Sequence, residues 1–91
     1  MKEQFTVNDI KPGMVVEYRN KKRALVVDCG YNVIALMGFN IYNYLDSYMD
    51  NLEAEYSKYS IDKVYKITPY VHTFEEILKS SHLQLIWERK K

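Results

Sequence analysis

Alternation of apolar and polar residues predicts a β-hairpin in the first third of the chain. Residues 14–19 read MVVEYR, which places Met14, Val16 and Tyr18 on one face of a strand. A Pro-Gly turn precedes this run, and a short polar stretch, NKK, follows it. Residues 23–29, RALVVDC, then alternate in the same way. We therefore predict two antiparallel strands joined by a short turn.

Three further strands and one short helix are predicted after the hairpin. The strands span residues 32–39, 60–67 and 83–89. The helix is expected from Thr73 to Lys79, because Thr73 and Glu76 have the spacing of a capping box. The phase of the last two strands predicts two sets of side chains that each share a face, namely Ile61, Tyr65 and Ile67, and Leu83, Leu85 and Trp87.

About five short strands with polar turns predict a mainly β fold with short helices. The expected architecture is a small, SH3-like, half-open β-barrel, and an OB-like barrel is the alternative. No linker or repeat divides the 91 residues, so residues 1–91 are expected to form one domain. A tyrosine-rich, acidic insert lies at about residues 40–59.

The insert changes its periodicity at Leu45. Before this residue, Tyr42 and Tyr44 continue the third strand and lie on the same side of it. After it, apolar residues recur every three or four positions, which is a helical spacing. We predict one irregular helix, or a turn-rich insert, within about Ser47 to Tyr56. We expect this aromatic stripe to pack the insert on the barrel or on a neighbouring subunit. Its residues are Tyr48, Met49, Leu52, Tyr56 and Tyr59.

Composition narrows the class of protein. Hydrophobic residues make up 47% of the chain and charged residues 27%, which is globular and argues against disorder. The formal net charge of +1 gives no global field for nucleic acid or membranes. The first residues are mostly polar, so no secretion signal is expected and the predicted location is the cytoplasm. Cys29 is the only cysteine, which excludes an internal disulfide.

No catalytic or metal-binding motif is recognisable. His72 and His82 are the only histidines, and neither has a neighbour at metal-ligand spacing. The three glycines form no phosphate loop, and no nucleophile elbow is present. We therefore expect a non-enzymatic binding protein without cofactor or metal. An enzyme lacking a recognisable motif stays an alternative.

Charge is unevenly distributed along the chain. A basic cluster, Arg19 to Arg23, occupies the first hairpin, and an acidic stretch runs from Asp46 to Glu55. Three interpretations stay open. In the first, both segments are simply solvated surfaces. In the second, the basic hairpin binds an anion such as phosphate, and in the third, the basic segment of one copy docks on the acidic segment of another. Nucleic acid is disfavoured, because the acidic stretch would repel a phosphate backbone.

Aromatic residues are in surplus, with nine Tyr, three Phe and one Trp. The expected core or rim aromatics are Phe5, Phe39, Tyr65 and Trp87. Tyrosine favours interfaces and ligand sites, because its ring is large and its hydroxyl needs a partner. Ordinary β-sheet propensity, in a genome rich in A and T, would explain the same tyrosines without any ligand.

Three stretches are informative together, namely "DIKPGMVVEYRNKKRALVV", "YSIDKVYKI" and "LQLIWERKK". They resemble a family of small, mostly uncharacterised proteins from phages and prophages of low-GC Gram-positive bacteria. The match covers nearly the whole chain in order. Two departures are an inverted Ile61-Asp62 pair and Lys21, which follows Asn20 where the family has a hairpin glycine.

The resemblance implies a phage protein that acts against host defence. We expect it to sequester a nucleotide-derived immune signal as a homo-oligomer, without cleaving it. The alternatives are an inhibitor that binds a host defence protein through the acidic, aromatic surface, and a nucleic-acid-binding barrel. Rings that stack on a base and cations that hold phosphates give the expected ligand contacts. These are Tyr18, Arg19, Arg23, Tyr31, Tyr42 and Tyr44, with Trp87 and Arg89 as second choices.

Overall fold

The computed structural model describes residues 5–68, 73–79 and 83–90. Within them, six antiparallel strands form one sheet with the order β4-β3-β2-β1-β5-β6. The elements are β1 Met14–Tyr18, β2 Arg23–Asp28, β3 Ile34–Met37, β4 Tyr42–Tyr44, β5 Ile61–Lys66, α1 Phe74–Lys79 and β6 Gln84–Glu88. This confirms the mainly β class. The sheet is open, with β4 and β6 as its edges. The two histidines lie outside the described residues.

One strand more is present than the sequence predicts. Tyr42 and Tyr44 do not continue β3, because the chain turns back after it. The Gly38 N–H donates to the Ile41 carbonyl at 2.8 Å, and β4 then pairs antiparallel with β3. A side chain at Gly38 would meet the Arg23 carbonyl at 3.0 Å, so glycine lets the turn pass close to β2.

The predicted hairpin is confirmed, with Val16 opposite Ala24. Its turn closes through the Lys21 N–H, which donates to the Tyr18 carbonyl at 2.9 Å. Lys21 itself has φ +73°, a left-handed conformation that favours glycine. The turn therefore carries backbone strain at Lys21.

The sheet buries apolar side chains on both faces. An inner cluster includes Val16, Tyr18, Leu36, Ile61 and Val64. An outer cluster is centred on Val15, Tyr65 and Leu83, with Ile77 of α1 packed against it. The Thr73 hydroxyl accepts the Glu76 N–H at 3.0 Å, which confirms the predicted helix cap.

Two bulges overturn the predicted phase of the last strands. Glu17 pairs with Lys63 but Tyr18 pairs with Ile61, so Asp62 is an extra residue. A second shift lies between Val64 and Tyr65, where β5 pairs with β6. Ile61 therefore joins the inner cluster, whereas Tyr65 and Ile67 join the outer one. Likewise, Trp87 packs in the inner cluster, away from Leu83 and Leu85. The expected common faces were wrong because each bulge reverses the alternation.

The insert contains no α-helix between Leu45 and Tyr59. It has two 3₁₀ turns, Leu45–Ser47 and Ser57–Tyr59, joined by turns and bends. The turn-rich alternative is therefore confirmed, and the irregular helix was wrong. Tyr48 and Leu52 are buried in the inner cluster, and the Tyr48 hydroxyl donates to the Tyr59 carbonyl at 2.6 Å. The insert thus closes over the inner core of its own sheet, although Tyr56 and Met49 stay exposed. No helix in the described parts of the chain has the length and apolar character needed to cross a membrane.

Candidate functional site

A basic hollow of about 540 Å³ opens where the β1–β2 turn meets the start of β5 and the end of β6. It is lined by Arg19, Lys21, Lys63, Arg89 and Lys90, together with Asp62 and Glu88. Five positive and two negative side chains leave a formal net charge of +3. The whole chain carries only +1, so positive charge is concentrated at this place. A concave surface of this sign and size suits a small anionic ligand.

Asp62 holds two arginines at the rim of the basic hollow. Its bulged position aims the carboxylate at both, since Oδ1 lies 3.2 Å from Arg89 Nε and 3.4 Å from Arg19 Nε. Arg89 Nη2 also donates to the carbonyls of Asn51 at 2.9 Å and Ile61 at 2.8 Å. Arg89 therefore ties the insert to β5, and its guanidinium is fixed before any ligand arrives.

Lys63 belongs to a row of alternating charges across four strands. Its Nζ lies 3.5 Å from the Glu88 carboxylate and 3.9 Å from that of Glu17. Tyr65, followed by Glu17, raises the pKa of Lys63, so the ammonium group stays protonated. Arg23 ends the row, because its Nε donates to Glu17 at 3.1 Å. The Arg23 guanidinium lies over the ring of Tyr65, 4.7 Å from its centre, and Arg23 does not line the basic hollow.

A second hollow of about 250 Å³ lies on the other side of the hairpin turn. We call it the Phe39 hollow. Its lining comprises Lys21, Lys22, Arg23, Gly38, Phe39, Asn40, Ile41 and Leu78. Phe39 is 54% exposed, although Lys79 Nζ lies over its ring, 5.6 Å from the centre. Lys21 lines both this hollow and the basic one. Sequence reasoning counted Phe39 only as a core or rim aromatic, because the turn at Gly38 was not recognised.

Trp87 does not line the basic hollow, but it lines a neighbouring hollow of about 300 Å³ that shares Arg89 and Lys90 with it. It is only 6% exposed, and its ring packs against Phe5 with centroids 5.8 Å apart. The Arg89 guanidinium lies 5.4 Å from the centre of the Trp87 ring. The two second-choice residues are therefore neighbours, and Trp87 supports Arg89 from the core.

Tyr18 lies in the inner core and is fully buried. Its hydroxyl accepts a hydrogen bond from Asn43 Nδ2 at 3.2 Å. Burial raises the pKa of Tyr18 above its ordinary value. The expectation that Tyr18 contacts a ligand at the surface is therefore corrected, because its ring fills the space beneath the insert.

The other predicted tyrosines lie far from the basic hollow in the fold. Tyr42 and Tyr44 occupy β4, at the edge of the sheet opposite β6. They pack edge to face at 5.3 Å, and the Tyr42 hydroxyl lies 3.2 Å from Cys29 Sγ. This contact with Cys29 raises the pKa of Tyr42 to about 12. Tyr31 is fully exposed in the β2–β3 turn, at the opposite end of β2 from the basic hairpin turn. Of the eight predicted contacts, the fold brings only Arg19 and Arg89 to the lining of the basic hollow.

The chain matches no protein-family model, and it matches no curated protein and no solved structure. Function is therefore argued from the geometry of the basic hollow and the Phe39 hollow.

Proposed function

We propose that this protein binds and sequesters a nucleotide-derived signal of bacterial host defence without cleaving it. The observation that carries the proposal is the net charge of +3 around the basic hollow of about 540 Å³. Phosphate groups are the anions that clustered Arg and Lys side chains bind best. The resemblance to small phage proteins supports the biological role.

The residues of the basic hollow divide into fixed and adaptable cations. Arg19 and Arg89 are held by Asp62, so their positive charges are positioned in advance. Lys90 is exposed at the rim and carries its charge on a long, flexible stem. A bound phosphate would draw the lysine ammonium groups inward while the arginines keep their places. Binding should therefore weaken as salt screens the lysine charges.

Isothermal titration calorimetry against cyclic mono-, di- and oligonucleotides tests this function. We expect one class to bind, with the ligand recovered intact after the protein is denatured. Lys90→Ala should weaken binding about threefold to tenfold, since it removes one charge from the lining. Lys66→Ala is the matched control, because Lys66 is an exposed lysine outside this lining and should leave affinity unchanged.

Three results would contradict the proposal. Absence of binding across the panel would contradict nucleotide binding, and recovery of reaction products would show that the protein is an enzyme. Tight binding to DNA of any sequence, with a steep salt dependence, would favour the nucleic-acid alternative. Light scattering on the same samples tests the expected homo-oligomer.

A second candidate is an inhibitor that docks on a host protein through the insert. Met49 and Tyr56 are 60% and 68% exposed, and carboxylates of Asp46, Asp50 and Glu55 are exposed on the same segment. Exposed apolar side chains with charged neighbours are typical of partner surfaces. The variant Asp46→Asn/Asp50→Asn/Glu55→Gln should abolish inhibition while leaving nucleotide binding intact. Glu53 is retained because it lies 3.9 Å from Arg19.

A further inference from the structure

We infer that the ligand carries an aromatic ring that stacks on Phe39, and that Lys21 joins this ring site to the phosphate site. The inference rests on the proposed function and deepens it. Its first support is the shared lining, because Lys21 borders both the basic hollow and the Phe39 hollow. One ligand with a charged and an aromatic part can therefore occupy both.

The Phe39 hollow has the chemistry of a platform for a nucleobase. Ile41 and Leu78 line it together with the exposed ring of Phe39. The Phe39 and Phe74 rings pack edge to face, with centroids 5.6 Å apart, which holds the Phe39 side chain in place. Bases stack on aromatic rings regardless of sequence, because every base has a π face. About 250 Å³ accepts a single ring system.

Basic side chains surround the Phe39 ring in the part of the chain that the structure describes. Lys21, Lys22 and Arg23 line the Phe39 hollow, and Lys79 Nζ lies 5.6 Å from the ring centre. The hollow is thus built for a ring attached to an anion rather than for a neutral apolar molecule. Lys79 and Arg23 already have carboxylate partners, Glu75 at 3.0 Å and Glu17 at 3.1 Å, so Lys21 and Lys22 supply the charge that an anion would meet.

The backbone at Lys21 supplies an independent observation. Lys21 has φ +73°, where glycine is the favoured residue. The turn is otherwise well formed, since Asn20 Oδ1 accepts the Lys22 N–H at 3.0 Å. Strained backbone at a pocket points to a functional side chain. The left-handed conformation places the Lys21 side chain between the basic hollow and the Phe39 hollow.

The test compares ATP with inorganic tripolyphosphate in magnesium-free buffer, by calorimetry. The two probes share a triphosphate, and only ATP carries a base. We expect ATP to bind at least about fivefold tighter, as base–aromatic stacking would give. Phe39→Leu should remove this preference, whereas Phe39→Tyr should keep it.

Substitution of Lys21 separates ligand binding from folding. Lys21→Gly should weaken both probes about fivefold and raise Tm by about 4 °C, because glycine relieves the left-handed strain. Lys21→Arg should preserve binding. A Tm that falls in Lys21→Gly, or affinities that do not change, would overturn the role of Lys21.

The outcomes distinguish this inference from the proposed function. Equal affinity for ATP and tripolyphosphate would overturn the ring site and leave anion binding standing. Failure of both probes to bind would overturn this inference, whereas the proposed function is decided separately by the panel of cyclic nucleotides. Near-UV circular dichroism shows whether Phe39→Leu folds. If it does not fold, Phe39→Tyr decides the question, because loss of the preference for ATP over tripolyphosphate in that variant would overturn stacking.

Discussion

Arg89 is attached to Asp62 at two points, through its side chain and its backbone. The Arg89 Nε donates to Asp62 Oδ1 at 3.2 Å, and the Arg89 N–H donates to the Asp62 carbonyl at 2.7 Å. The aspartate is the extra residue of a bulge in β5, so one irregularity fixes the rim of the basic hollow. Its carboxylate also places negative charge where we propose that an anion binds.

Asp62→Asn is expected to separate these two effects. The substitution should lower the free energy of unfolding by about 1 kcal/mol, because charge-assisted hydrogen bonds become neutral ones. It should also raise affinity for tripolyphosphate about two- to fivefold, since one negative charge leaves the lining. Urea unfolding and calorimetry measure the two quantities.

Glu88→Gln is the matched control for that experiment. It removes the same charge from the hollow, but Glu88 is exposed, and its carboxylate lies 3.5 Å from Lys63 Nζ. We expect a similar gain in affinity with little change in stability. Equal destabilisation by both substitutions would show that Asp62 has no special structural role.

Leu52 combines full burial with a left-handed backbone, φ +70°. Leu52→Ala should cost about 2–4 kcal/mol of unfolding free energy, because it opens a cavity beneath the insert and keeps the backbone strain. Leu52→Gly opens a similar cavity but relieves the strain, so it should be no worse than alanine. Chemical denaturation of both variants checks this order. A glycine variant less stable by more than about 1 kcal/mol would contradict it.

Buried Tyr48 makes stability depend on alkaline pH. Burial raises the pKa of Tyr48 above the ordinary value of 10.0, so the folded state holds the proton more tightly than the unfolded state. The contribution of Tyr48 to the free energy of unfolding is therefore fully present below about pH 10, and it is lost as the pH rises above this value. Denaturation midpoints between pH 8 and pH 11 should fall less steeply in Tyr48→Phe.

Tyr48→Phe should also be less stable at neutral pH. It loses the 2.6 Å hydrogen bond to the Tyr59 carbonyl, worth about 1 kcal/mol. Tyr31→Phe is the control, since Tyr31 is fully exposed and should follow the wild-type curve. Parallel curves for wild type and Tyr48→Phe would show that Tyr48 does not carry the pH dependence.

The β2–β3 turn should accept a better residue than tyrosine. Tyr31 and Asn32 have φ of 54° and 63°, and the Val33 N–H donates to the Gly30 carbonyl at 2.9 Å. This is a type I′ turn, in which asparagine is favoured at the first central position. Tyr31→Asn should raise Tm by about 2–4 °C in thermal melts. Tyr44→Asn, on a strand, should lower it.

Local patterns predicted the hairpin and the helix cap well. The alternation of β1 and β2 depends only on their own residues, and Thr73 reaches only three positions along the chain. The bulge at Asp62 could not be predicted in this way, because an extra residue exists only relative to the partner strand. The turn at Gly38 was missed because Met37, Phe39 and Ile41 are strand-forming and the sequence was interpreted as one continuous strand.

The candidate site was predicted in part. Arg19 was found from the charge of the hairpin, and Arg89 came only as a second choice. Lys63 and Lys90 were missed, because pairing of β5 with β1 and β6 brings them to the hairpin. Tyr18 was misplaced because strand propensity does not distinguish an inward tyrosine from an outward one.

The sharing of β1 and β5 between both apolar clusters has a consequence for amide hydrogen exchange. Val16 and Val64 face the inner cluster, and Val15 and Tyr65 face the outer one. Neither cluster can open without disturbing the same two central strands. We expect the slowest-exchanging amides in β1 and β5, at the free energy of global unfolding, with β4 and β6 exchanging by local fraying from the two edges.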